Sequence, residues 1–263
     1  MAALRLVDDD ATRGTLQSRL AELSLTVGEL GAVWRASGES IGHYEANGGG
    51  SADYAPWCMR WAILVAAGED DAAEVIYRDL PQSPAWSETP ASRAIRALKM
   101  EVAQIRRDPA GAAERLLALR EPPDAAYAAS EADHWRATAL AAAHRAREAG
   151  VVAAAMQPRD LGLFLHPASL AALRLRIAVA CCEVQPESIA AAEAMLAEAH
   201  PLPALELLAA LAEARRSAGD AAAADAARLE CSRRAEALAA TLAAIEPCVA
   251  AALAARWTVP AAR

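Results

Sequence analysis

Asp70-Asp71-Ala72-Ala73-Glu74 is the stretch of this sequence with the most chemistry in it. In a helical protein a DDxxE run can hold magnesium and, through it, a diphosphate, because hard cations take carboxylate oxygens. Such a site needs a second metal-binding cluster that includes asparagine, and the sole asparagine, Asn47, stands beside a glycine run. Asp70 and Asp71 are therefore expected in the first turn of a helix, where negative charge meets the positive end of the dipole. His134 and His144 fall about 80° apart around a helix and nearly three turns along it, so they cannot share one ion. No HExxH, CxxC or CxxH spacing occurs. His43, His166 and His200 sit beside glycine or proline and read as turn or surface residues.

Serine, cysteine and histidine never fall in an activating context. GxSxG is absent, and Gly48-Gly49-Gly50-Ser51 lacks the lysine and the preceding strand of a phosphate loop. Cys181-Cys182 lies in an apolar run, where small thiols are packing residues, with a redox role as the alternative. The expectation is no catalytic residue, no metal and no cofactor. Trp57, Met59 and Trp61 form the densest aromatic cluster; Trp57 and Trp61 share a helix face, either as core residues or as aromatic anchors for a partner.

The elements that must position these residues follow from composition. Of the residues, 55% are hydrophobic but only 4% aromatic, and the apolar content is mostly alanine and leucine, which favours helix over strand. The net charge of −8 and pI near 5.2 argue against nucleic acid and against an anionic membrane surface. Lys99 is the single lysine among 26 basic residues, an arginine-heavy usage that fits the coding bias of a GC-rich bacterial genome. Five cysteines, an odd number with one vicinal pair, point to a reducing cytoplasm rather than a disulfide framework. The first residues reach Asp8-Asp9-Asp10 without a basic-then-apolar leader, and Arg174 and Arg176 interrupt the longest apolar run. A soluble protein is expected.

Apolar periodicity predicts a first helix from Thr12 to Ala36, striped by Leu16, Leu20, Leu23, Val27, Leu30 and Trp34. A glycine-rich loop follows, then helical pairs from Asp53 onward, with a long helix over Asp124 to Ala149 and an irregular stretch over 151–167. Three segments result: 1–52 as acidic tail, helix and loop; 53–246 as helical pairs; 247–263 as a capping helix and tail. The turns Gly68-Glu69-Asp70, Arg107-Asp108-Pro109, Ala149-Gly150-Val151, Val184-Gln185-Pro186 and Gly219-Asp220 recur at 39, 43, 35 and 34 residues. A period near 34 marks helix-turn-helix repeats.

The array resembles tetratricopeptide repeats. Leu208, Leu211, Ala212, Gly219-Asp220 and Ala224 match that pattern best; Trp57, Leu64, Ala73 and Tyr77 match in an earlier unit, Ala112 and Leu116 in the next, and Ile177, Ala178 and Ala190 in a later one. Trp61, Arg215 and Arg228 depart from it. The resemblance implies an all-α fold of antiparallel helical pairs stacked as a right-handed solenoid, the alternative being an irregular helical bundle. It further implies a concave groove lined by Met59, Glu101, Gln104, His144, Arg147, Glu213 and Arg216. These are mixed in charge, without the basic cluster that holds a peptide carboxylate. The implied function is a non-enzymatic scaffold or adaptor that binds a protein or peptide along the groove. A ligand- or peptide-sensing module of a bacterial signalling system and an all-α enzyme with an unrecognised site are the alternatives.

Overall fold

Proline and left-handed turns set out the helices. The computed structural model describes residues 10–46, 54–82, 89–119, 126–157 and 165–258. Among them stand thirteen α-helices and no strand: α1 Asp10–Val27, α2 Leu30–Ala46, α3 Ala55–Ala67, α4 Asp70–Asp79, α5 Pro90–Gln104, α6 Pro109–Ala118, α7 Ala126–Ala142, α8 Ala146–Ala155, α9 Pro167–Cys181, α10 Pro186–Leu196, α11 Pro201–Ser217, α12 Ala221–Leu242 and α13 Pro247–Trp257. Helices α5, α6, α9, α10, α11 and α13 all open on proline, whose fixed φ suits the first helical position and whose missing N–H leaves no bond unmade there. No described helix is long and apolar enough to cross a membrane. The glycine run 48–51, Asp53 and the residues 158–164 of the irregular stretch lie outside the described residues.

One turn recurs five times. Gly28, Gly68, His144, Cys182 and Gly219 have φ of 83°, 88°, 61°, 57° and 85°, and each follows the first helix of a pair. In each, the N–H of the following residue reaches back five positions, as in Glu29→Ser24, Glu69→Leu64, Arg145→Leu140, Glu183→Ala178 and Asp220→Arg215, at 2.8–3.0 Å. The left-handed residue itself donates three positions back, at 3.1–3.3 Å. This is the Schellman closure, which uses up carbonyls that a helix end otherwise leaves unpaired. Two sequence expectations are corrected by it. The Thr12–Ala36 helix is two helices, because Gly28 turns the chain; Ala149-Gly150-Val151 is no turn but the middle of α8, because the break falls earlier, at His144.

Contacts group the chain into two units, and the 246/247 boundary drawn from sequence falls inside the first. That unit takes the described residues up to Arg96 together with Glu236–Arg256. Within it α1 packs on α2 and α3, α2 on α3, and α3 on α4. The core holds Trp57, Met59, Trp61, Ile63 and Tyr77, with the Trp61 and Tyr77 rings edge to face at 6.4 Å and Tyr44 stacked on Trp57 at 6.5 Å. The chain's last helices close on its first ones here. The Leu30 N–H donates to Thr241 Oγ1 at 3.0 Å, Trp34 Nε1 donates to Glu246 Oε1 at 2.9 Å, and the Arg256 guanidinium meets the Val65 carbonyl.

Gly31 sits at this closure, where an added Cβ would lie 2.1 Å from the Thr241 carbonyl oxygen. Gly31→Ala is expected to lower stability by about 2–3 kcal/mol in urea denaturation. Gly42→Ala in the same helix, with nothing within 4 Å of its Cβ, is the control and should stabilise slightly.

The second unit takes Ala97–Ala235 and the residues from Trp257. From α6 to α11 each helix touches the next; α7 also touches α9, and α9 touches α11. Ala168, Ala172 and Leu175 of α9 pack against Leu207, Ala210, Leu211 and Ala214 of α11, with Ala192 of α10 between them. Alanine lets these helices approach closely, so the core is made from many small contacts rather than a few aromatic ones.

Candidate binding face

Lys99, on α5, is 1% exposed, and a buried ammonium needs a partner. Its Nζ meets Glu131 Oε1 on α7, a carboxylate whose side chain is 12% exposed. Trp135 Nε1, one turn further along α7, donates to the same oxygen at 3.3 Å. Between them in sequence stands His134, 4% exposed, its ring edge-on to Trp135 at 5.1 Å. Its Nδ1 has no hydrogen-bond partner among the described residues. Burial pushes the His134 pKa down to about 4; Arg176 and Lys99 push the same way, against Glu131. The imidazole is therefore neutral at physiological pH.

The charges continue across the second unit. Arg176, on α9 and half-buried, acts on both His134 and Cys231. Burial raises the Cys231 thiol to about 11, with Arg176 and Arg234 opposing, so this thiol is not a nucleophile. Glu230 lies at about 2 because Arg233 and Arg234 both donate to it. Arg176 itself makes no ion pair among the described residues, which leaves a cation able to accept a carboxylate from outside.

Two further features belong to the same unit. A cleft of about 230 Å³ opens between α9 and α10, floored by Leu170, Leu175 and Met195. It is smaller than a typical ligand pocket. Beside it Arg174 donates to the Ala153 and Met156 carbonyls and so holds the end of α8. His166 and His200, ahead of α9 and α11, meet with ring centroids 4.5 Å apart. His166 Nδ1 accepts from the Ala168 N–H, and burial and His200 lower the His166 pKa.

The residues singled out from sequence are dispersed. Met59 is wholly buried in the first unit, so it cannot line a groove; Trp57 and Trp61, 6% and 3% exposed, are core side chains there. Glu101 pairs with Arg115, and Gln104 ends α5. His144 is the left-handed turn residue, and Arg147 follows it on α8, because the helix expected to carry both ends at Ala142. Glu213 and Arg216 are exposed together on α11, with Arg216 bonded to Asp225 at 2.6 Å. Asp70 and Asp71 stand in the first turn of α4. Lys99, Glu131 and Arg176 were missed as a group; the one signal available was a solitary lysine in an arginine-rich chain.

The fold places the chain among all-α proteins built from helical pairs. No family model, no curated protein and no solved structure matches it.

Proposed function

We propose that this chain is a helical-repeat binding module, tetratricopeptide-like in plan, whose task is to hold a protein or peptide partner. One observation carries the reading: the same Schellman turn closes the first helix of five pairs, at spacings of 40, 76, 38 and 37 residues. The 76-residue interval is two periods, with the α5–α6 turn at 105–107 between them. A unit reused at a constant period cannot bury its apolar face alone and gains its core from its neighbours. The contacts of α7 with α9 and of α9 with α11 are the kind such stacking makes. Within the second unit the successive first helices α7, α9 and α11 then offer one surface, on which Arg176, Glu213 and Arg216 stand. An acidic group of the partner docks at Arg176.

The test is affinity capture from the native host with the full chain, comparing wild type with Arg176→Gln and with Glu213→Arg combined with Arg216→Glu. A protein held saturably by wild type and at least tenfold more weakly by both variants supports the reading. Equal capture by all three moves the binding face elsewhere, and no saturable partner overturns the proposal.

A further inference from the structure

The dipeptide His-Pro opens two helices of the second unit. His166-Pro167 starts α9 and His200-Pro201 starts α11, 34 residues on, so the two histidines hold the same place in successive pairs. Packing of α9 on α11 brings their rings together, with centroids 4.5 Å apart and planes tilted by 46°. His166, half-buried, caps α9: its Nδ1 accepts from the Ala168 N–H at 3.1 Å. His200 is exposed, and its side chain makes no cap bond to α11. Leu165, next to the cap, packs with Met156 and Leu170 and so joins the end of α8 to the start of α9. Arg174, two turns further along α9, makes a second tie, to the Ala153 and Met156 carbonyls.

We propose that the His166–His200 pair is an acid-released latch on the first turn of α9: a proton on His166, beside the second ring, breaks the bond to Ala168, frays that turn and loosens Leu165 from Met156, while Arg174 keeps the rest of α9 on α8. The chemistry follows from the ring. A neutral imidazole accepts at one nitrogen, whereas an imidazolium carries two donors and accepts nothing. The proton therefore turns the cap into two facing N–H groups, with a positive charge at the positive end of the α9 dipole. Of the charged and titratable groups in the described residues, those acting on the ring are His200, at the start of α11, and Glu198, after α10. Burial first and His200 second lower the His166 pKa, against a backbone hydrogen bond and the carboxylate of Glu198. Because the folded value lies below the unfolded one of 6.5, the latch is held above that pH and lost as pH falls through the folded value. The joint between two successive helical pairs then loosens while the rest of the unit stays folded.

Amide hydrogen exchange of the full chain, read by NMR from about pH 7.5 to about pH 5 and corrected for intrinsic rates, tests this. Protection of Ala168, Ser169 and Leu170 is expected to fall several-fold more in wild type than in His166→Asn, since asparagine caps a helix without titrating. Protection of Leu207 and Leu211, buried in α11, should change equally in both proteins, which separates local release from any global loss in acid. His200→Gln, at an exposed site outside the cap, is expected to move the midpoint of the His166 ring titration towards the ordinary histidine value. An equal fall at Ala168 to Leu170 in wild type and His166→Asn overturns the proposal, as does a His166 midpoint that His200→Gln leaves unmoved.

Discussion

Acidification from near neutrality to about pH 4 is expected to destabilise the chain by about 3 kcal/mol through His134. In the folded chain this imidazole titrates at about 4, against 6.5 when unfolded. Between those values the unfolded state binds the extra proton and the native state does not. The full stability is thus present above the unfolded value, falls as pH drops through this window, and changes no further from this group below about 4. Burial is the main cause, and the groups that face the ring from its own and neighbouring helices are Glu131, Lys99 and Arg176. His166, lowered by burial and by His200, adds to the same trend. Urea denaturation at a series of pH values, with an NMR titration of each histidine, measures the effect. His134→Phe keeps the edge contact to Trp135 and removes the unpartnered nitrogen, so it should be near neutral at pH 7 and clearly more stable than wild type near pH 4. A wild-type-like slope in that variant would remove His134 as the cause.

Lys99→Met is expected to cost about 3–5 kcal/mol at neutral pH, because it strands the Glu131 carboxylate in a site with 12% exposure. Restoring neutrality should recover most of that loss. Lys99→Met with Glu131→Gln keeps an oxygen for the Trp135 indole N–H and leaves no uncompensated charge, so the double variant should fall much nearer wild type than Lys99→Met alone. A double-mutant cycle in urea, read by far-UV circular dichroism with Trp135 fluorescence as a local probe, tests this. Losses that merely add would show that the two groups are not coupled.

Helix content was legible because alanine and leucine leave strand formers scarce, and because prolines such as Pro109, Pro167, Pro186 and Pro201 mark helix starts. Turn positions were legible where glycine carries the left-handed residue, as at Gly68 and Gly219. The α9–α10 turn at Cys182 was still marked by Val184-Gln185-Pro186, and Gly28 was passed over inside one apolar stripe. The turn at His144, by contrast, was misplaced because a non-glycine residue takes the left-handed conformation there. That shift moved the apparent turn to Gly150 and displaced two groove residues. Which side of α1 is covered was not legible, because periodicity reveals a stripe but not the side the neighbouring helix takes, and here Gly14, Ser18 and Ala21 are the buried residues. The Lys99–Glu131 pair joins residues 32 apart on separate helices, and no local pattern encodes it.

The meeting of the chain's first and last helices also sets an order of assembly during synthesis. Helices α1 to α4 emerge early, yet the segment that completes their core, Glu236–Arg256, follows only after residues 97–235. At typical elongation speeds that interval lasts roughly ten to thirty seconds. Throughout it the Leu30 N–H lacks Thr241 and the Trp34 indole lacks Glu246, while the second unit already has nearly all of its own residues. The part made first is therefore finished last.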